Sequence, residues 1–358
     1  MATSVEATVT AVPVTAGRRN RQQVILVLLA VLVLVAGMTE LAVGPVGLSL
    51  PEVLNGLFGQ GSASENAIVR QIRAPRLFLA LAVASGLALS GCALQGILRN
   101  PLADPGLIGV TGGATVGAVA TIVLGEALIQ GLSPAMRPWC LPVAAFAGSM
   151  LVTGFVFTVS RRSSGISVAT LILTGVAINA IAAAFVGAMV FASDDRQLRD
   201  LTFWSMGSLG GANWTSVAIT LVIVGISAIF MLRQGSALDL FQLGERAAYH
   251  AGLDVERTKR RAALLTAISV GAATAAAGPI GFIGLVAPHM ARLLVGPGHR
   301  MVLPASALLG TALLLGADIL VRNAVPPAEP PIGIATSLIG GPFFLWLLIR
   351  RLQGGGNA

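Results

Sequence analysis

Apolar runs of membrane-crossing length recur along nearly the whole chain, separated by short polar stretches that carry most of the charge. Read at the ~20 residues a helix needs to cross the hydrocarbon core, the pattern predicts ten spans. They fall at about 22–43, 75–98, 106–125, 139–160, 167–192, 214–232, 262–281, 282–296, 302–322 and 332–349. The eighth is short enough to cross only in part. A transmembrane β-barrel would instead show alternating segments of about ten residues. The expected fold class is therefore an all-α polytopic membrane protein with about ten transmembrane helices, and no internal repeat is evident.

Composition agrees: 55% of the 358 residues are hydrophobic and only 11% are charged. The net charge of +8 would suggest nucleic acid in a soluble domain. Here the bases cluster between apolar runs, and aromatics make up only 5%, so no nucleic-acid partner is expected and topology explains the charge. With the N-terminus inside, the inner group is Arg18, Arg19, Arg21, Arg99, Arg161, Arg162, Arg233, Arg246, Arg257, Lys259, Arg260, Arg261, Arg292, Arg300, Arg350 and Arg351. The outer group is Arg70, Arg73, Arg76, Arg137, Arg196, Arg199 and Arg322. Sixteen bases against seven, with an even number of spans, favour both termini inside. Residues 1–21 are expected as a disordered cytoplasmic tail, 22–351 as the membrane domain and 352–358 as a C-terminal tail. The first apolar run is too long for a signal-peptide core. Cys92 and Cys140 lie in apolar runs and read as buried thiols.

Small residues recur at four-residue spacing. Gly109, Gly113 and Gly117 do so in the third span, and Ala82, Gly86 and Ser90 in the second. Such patterns let helices approach closely in lipid. Between these spans lies "LRNPLADPGLIGV" (98–110). Asn100-Pro101 is a turn dipeptide. Asp104 can cap a new helix, with Pro105 at its first position, where a missing N–H is harmless. The stretch reads as a tight cytoplasmic turn.

The longer string "GCALQGILRNPLADPGLIGVTGGATVGA" resembles the permease subunits of binding-protein-dependent ABC importers for ferric siderophores, haem and cobalamin. Further matches come in order: "IRAPR" (72–76), "LILTGVAIN" (171–179), "WSMGSLGGANW" (204–214), "GPIGFIGLVAPHMARLLVGPGHRMVLPASALLG" (278–310), "GADILVR" (316–322) and "EPPIGIATSLIGGPFFLWLLIR" (329–350). The resemblance covers residues 22 to 351. It implies the type II importer permease fold, ten helices per subunit working as a dimer in the inner membrane with the path at the interface. It also implies an extracytoplasmic binding protein, a partner ATPase dimer that carries ATP and Mg, and no cofactor on this chain. Independently, the one lysine, Lys259, comes after "DVERT", so no phosphate-cradling P-loop exists here.

The longest inner loop, about 233–261, has apolar positions Leu240, Leu243, Ala247 and Ala251 at the spacing of one helical face. An amphipathic helix on the membrane would show the same pattern. The resemblance implies short coupling helices docked to the ATPase and assigns Leu243, Gly244, Glu245, Ala248 and Gly252 to that contact. It assigns Arg73, Arg76 and Arg322 to docking of the binding protein, where lipid anchoring is the alternative. Ser163, Ser164 and Gly165 are assigned to a cytoplasmic gate. Asp318 could serve as an intramembrane proton carrier, but an i,i+4 pair with Arg322 is favoured. His289 reads as a packing or turn residue, and no metal-ligand set is evident. The function expected is import of ferric siderophores by alternating access, with cobalamin or haem as the alternative cargo. A stand-alone proton-coupled carrier needs mid-membrane charges and no ATPase dock, and an intramembrane enzyme needs paired catalytic residues. The sequence shows neither.

Overall fold

The computed structural model describes residues 16–125, 129–162, 165–325 and 328–354. Its helices are α1 (Ala16–Ala42), α2 (Leu50–Phe58), α3 (Ala63–Leu98), α4 (Val110–Leu124), α5 (Arg137–Ser160), α6 (Val168–Ala192) and α7 (Asp195–Ser205). They continue with α8 (Trp214–Arg233), α9 (Gly235–Gln242), α10 (Glu245–His250), α11 (Val255–Ala277), α12 (Ile283–Val295), α13 (His299–Ala324) and α14 (Ile332–Gly354). The ten predicted spans are α1, α3, α4, α5, α6, α8, α11, α12, α13 and α14. Among the described residues, α1, α3, α5, α6, α8 and α13 are long and apolar enough to cross a membrane, whereas α4, α12 and α14 contain shorter apolar helices. α11 carries Arg257, Lys259, Arg260 and Arg261 in its first two turns, which lowers its mean hydropathy. The remaining elements lie in the connections. One of them, α2, is begun by Ser49, whose N–H and hydroxyl both donate to Glu52. These two bonds hold the Glu52 carboxyl below the usual carboxylate range.

Two boundaries differ from expectation. Helix α1 starts at Ala16, inside the expected tail, and the Gln22 side chain donates to the Val295 carbonyl at 2.7 Å. Helix α14 continues to Gly354. In both places the helical backbone outlasts the apolar run, through Arg and Gln residues of good helix propensity that outnumber the glycines there.

Helix α3 is the hub. It packs against α8, α11, α12 and α13, and 78% of its most apolar window is buried within the subunit. The corresponding window of α6 is only 17% buried. Residues 68–73 of α3 form a π-helical turn, and the helix ends at Arg99 in a left-handed conformation (φ 49°).

At 15 and 13 residues, α4 and α12 span roughly 22 and 20 Å, short of a ~30 Å hydrocarbon core. Irregular chain makes up the difference. The segment 99–109 is not the surface turn that its composition suggests. It folds back beside α3, where Gln95 Nε2 donates to the Ala103 carbonyl and to the Gly284 carbonyl, both at 3.3 Å. A methyl group on Gly284 would lie 3.0 Å from the Leu87 carbonyl and 3.2 Å from Pro105. Pro105 therefore sits level with Leu87, about 16 Å along α3 from Leu98 at 1.5 Å per residue. The second irregular segment, 278–282, leads into α12 through Phe282 at φ 68°. Such backbone is tolerated at membrane depth only when buried in protein or lining a wet cavity.

What lets the first turn of α12, just beyond the second segment, close on α3 is an absent side chain. A methyl on Gly91 would fall 1.8 Å from the Gly284 carbonyl oxygen. The four-residue glycine pattern of α4 works similarly: methyls on Gly113 and Gly117 would strike the backbone of α5 at Gly148 and Ala144.

Gly91→Ala should therefore force backbone apart at the hub and destabilise by about 1–3 kcal/mol, seen as a lower melting temperature in detergent. Gly225→Ala, with nothing within 4 Å of the added methyl, should melt like the parent. Equal melting of both variants would disprove the close-approach account.

Candidate functional site

Three groups of polar residues lie at different levels of the bundle. The first surrounds the N-terminal end of α3. Arg76 donates through Nε and Nη2 to both oxygens of Asp318, at 2.7 and 2.9 Å, and through Nη1 to Glu329 at 2.6 Å. Arg73 Nη1 donates to the carbonyls of Leu41 (2.6 Å) and Ala42 (2.9 Å), and its Nη2 donates to Val46. Arg322 Nη2 donates to the carbonyls of Glu40 and Val43, each at 2.8 Å, and stands 3.1 Å from the Glu40 carboxylate. Three guanidiniums and three carboxylates thus form a formally neutral cluster that ties α1, α3, α13 and the segment before α14 together.

The structure places Arg73, Arg76 and Arg322, the residues expected to dock the binding protein, inside the subunit. They are 3%, 6% and 3% exposed and each donates to carbonyls or carboxylates inside the subunit, although Arg322 Nε has no partner among the described residues, so they are not free charges on a surface. Arg73 closes the π-helical turn 68–73, and Arg76 follows it in the first α-helical turn beyond. The expected Asp318–Arg322 pair is also replaced. Asp318 takes the planar fork of Arg76, which offers two parallel bonds, and Arg322 turns to Glu40. Spacing along the sequence missed Glu40 and Glu329. An acid closing the first apolar run was the available signal for Glu40.

The second group lines a cavity of about 550 Å³ where the irregular segments meet α4 and α6. Asp104 Oδ1 accepts from the Gly106 N–H at 2.8 Å and caps a 3₁₀ turn, Pro105–Ile108, with Pro105 in its first turn. Asn100 Oδ1 accepts from Leu102 N–H, with Pro101 between them in the turn. Asn179 of α6 donates to the Gly106 carbonyl at 2.9 Å. Thr111 and Thr115 of α4 and the backbone of 279–281 complete the wall. The capping geometry agrees with the reading of Asp104 and Pro105, but its depth in the bundle does not. A four-residue polar turn carries no mark of how far its neighbours draw it inward. His289 packs edge-on to Phe343 at 6.2 Å. Among the described residues no cluster of His, Cys, Asp or Glu could hold a metal.

The third group is the long loop. It forms two short helices, α9 and α10, rather than one amphipathic helix. Gly244 at φ 104° breaks the run in a conformation that a residue with a Cβ rarely adopts. Leu238 and Phe241 of α9 and Ala248 of α10 are fully buried. Ala248 therefore anchors the loop rather than facing a partner. Asp239 accepts from the His299 backbone N–H at 2.6 Å, and Gln242 donates to the Pro297 carbonyl at 3.1 Å. Glu245 pairs with buried Lys259 at 2.8 Å. These contacts leave Leu243 and Tyr249 70% and 69% exposed, with Gly252 (φ 87°) closing the turn beyond them. The inner apolar face belongs to Leu238 and Phe241, not to Ala247 and Ala251, which are exposed.

Of the expected gate, Gly165 belongs to a two-rung antiparallel ladder that pairs Arg161 with Ile166 and Arg162 with Gly165. Ser163 and Ser164 lie outside the described residues. Ser167 then caps α6 by accepting from the Thr170 N–H.

Comparison with known proteins places these features in one group. The model of the FecCD transport family matches residues 28–350. The chain is 46% identical over 282 residues to the hemin transport system permease protein HmuU of Yersinia pestis, covering 79% of this chain and 83% of that one. It is 40% identical over 340 residues to the cobalamin import system permease protein BtuC of Halobacterium salinarum, covering 89% and 88%. A solved structure described as of the metal-chelate ABC transporter type, in an inward-facing conformation, superposes with a TM-score of 0.81 at 32% identity, covering 92% of this chain and 99% of that chain.

Replacing Arg76 by Met should strand the buried Asp318 carboxylate and cost about 3–5 kcal/mol, measured as thermal unfolding in detergent. Arg70→Ala, at an exposed side chain, should change little. An Arg76→Met protein that melts normally but fails to bind a soluble partner would restore the docking role.

Proposed function

The chain belongs to the FecCD transport family, and from that premise we propose that it passes a bulky metal tetrapyrrole or corrinoid across the cytoplasmic membrane. It is a multi-pass permease subunit of an ABC importer for haem, cobalamin or siderophore, and not itself an enzyme; ATP hydrolysis belongs to a separate subunit. The resemblance by itself leads to a ferric siderophore as the expected cargo, with cobalamin or haem as the alternative. The relatives named above are designated for hemin and cobalamin, which moves the proposed cargo to a macrocyclic chelate. The metal travels as part of the cargo.

The observation that carries a transport reading is the cavity bounded by two irregular segments, Asn179, Thr111 and Thr115. Its lining mixes a few hydroxyl and amide groups with apolar Ala182, Ala183, Val186 and Ile280, which suits passage of a large, partly polar chelate better than tight capture. In this reading two subunits face each other across α6 and enclose the path. The bare face of α9 and α10, with Leu243 and Tyr249, seats the partner ATPase, which holds ATP and Mg. Gly244, Glu245 and Gly252 shape that face rather than supply its contacts. The binding protein meets the loops held by Arg73 and Arg322, with Glu329 at their edge. The basic loops, the coupling helices and both chain ends lie inside.

Leu243→Asp and Tyr249→Asp should preserve membrane insertion yet lower ATPase co-purification and uptake at least about tenfold, because both place a charge in an apolar contact. Normal co-purification would remove the loop from the dock. For the cargo, cells lacking this gene should lose uptake of haem or cobalamin while keeping ferric siderophore uptake. The reverse outcome would restore the siderophore and leave the transport mechanism intact.

A further inference from the structure

A groove of about 820 Å³ runs between α5 and α11, away from the cavity described above. Its two ends differ in chemistry. Met150 and Phe157 on α5 and Leu264 on α11 form an apolar wall, and Gly154 stands among them with nothing within 4 Å of where a side chain would begin. Arg161, Arg257, Arg260 and Arg261 ring the mouth. From Arg161 back to Met150 the wall is about 16 Å long at helical rise.

The charge at the mouth is unbalanced. Two acids also line it, Asp254 and Glu256. Asp254 caps α11 by accepting from the Arg257 N–H at 2.9 Å, and Glu256 lies 3.6 Å from Lys259. Among the described residues, none of the four arginines makes an ion pair or a side-chain hydrogen bond. All four are exposed, at the level where the helices leave the apolar region. The surface beside the groove is apolar: Leu151, Phe155 and Val159 of α5 project outward.

We propose that this groove holds an anionic phospholipid, with its phosphate among the four arginines and one acyl chain along Met150, Phe157 and Leu264. Guanidiniums match phosphate oxygens in geometry and charge, and basic pockets between membrane helices suit anionic head groups. An apolar wall of this length would serve no purpose for a free phosphate. A bound lipid would brace α5 against the start of α11, the helix that begins where the coupling loop ends.

The test uses the purified full-length protein with dioleoyl phosphatidylglycerol, dioleoyl phosphatidylcholine or glycerol phosphate, read by native mass spectrometry and thermal melting. The expected result is retention of phosphatidylglycerol at least about tenfold above phosphatidylcholine, with a rise in melting temperature. The triple variant Arg257→Gln, Arg260→Gln, Arg261→Gln should lose that preference. Gly154→Leu fills the groove and keeps every charge; it should lower phosphatidylglycerol retention severalfold, separating a built site from general attraction to a basic surface. Equal retention of the two lipids by the parent protein would overturn the proposal. So would full retention by Gly154→Leu, or equal stabilisation by glycerol phosphate. None of these readouts depends on cargo or on ATPase docking.

Discussion

The contact between Gly91 and the Gly284 carbonyl is the constraint on which the rest of this subunit depends. In hydrocarbon every backbone amide must find a partner within the protein, so irregular chain can sit deep in the bundle only where neighbours close tightly around it. The missing side chain on Gly91 permits that closure. Gln95 then spans the gap, donating to Ala103 on one side and Gly284 on the other, while its oxygen accepts from Arg292 at 2.6 Å. The cavity exists because two segments of non-helical chain are held at the same depth.

The ends of the bundle are fixed by different means. At one end, a neutral set of six charged side chains replaces water for the carbonyls at the close of α1. Buried ion clusters contribute little net stability against an apolar alternative but penalise any arrangement that separates them. This one specifies which helices meet. At the other end, a short apolar anchor, Leu238 and Phe241, seats the loop on the body, while Asp239 and Gln242 fasten it to the start of α13. The exposed face of that loop is carried on a firm mount.

The long spans α1, α3, α5, α6, α8 and α13 were legible because an apolar run of crossing length needs no tertiary information; the shorter α4, α12 and α14 and the basic start of α11 were legible only as helices. Asp104 with Pro105 was legible as a cap for the same reason: the bond is local. Depth was not. Nothing in "RNPLADP" records that Gln95 and Gly284 draw it inward, since those partners are respectively near and very distant in the chain. The burial of the arginines was not legible on similar grounds. Outside bases read as surface charge, and only the fold brings Asp318, Glu329 and Glu40 to them. For the loop, Leu240, Leu243, Ala247 and Ala251 gave a plausible single stripe. One glycine in a left-handed conformation split it, and burial went with the two shorter helices.

The separation of Arg76 from Asp318 along the chain has a bearing on how the protein is made. The two are 242 residues apart, which at about 5–20 residues per second takes roughly 12–50 s to synthesise. During that interval α3 is already complete and apolar enough to enter the bilayer, whereas its acidic partners do not yet exist. Until α13 arrives the guanidinium has neither acidic partner, and a stem of this length allows a charged head to reach the interface. Membrane entry of α3 and its burial at the centre of the subunit are therefore two events in time, and the ion cluster marks the second.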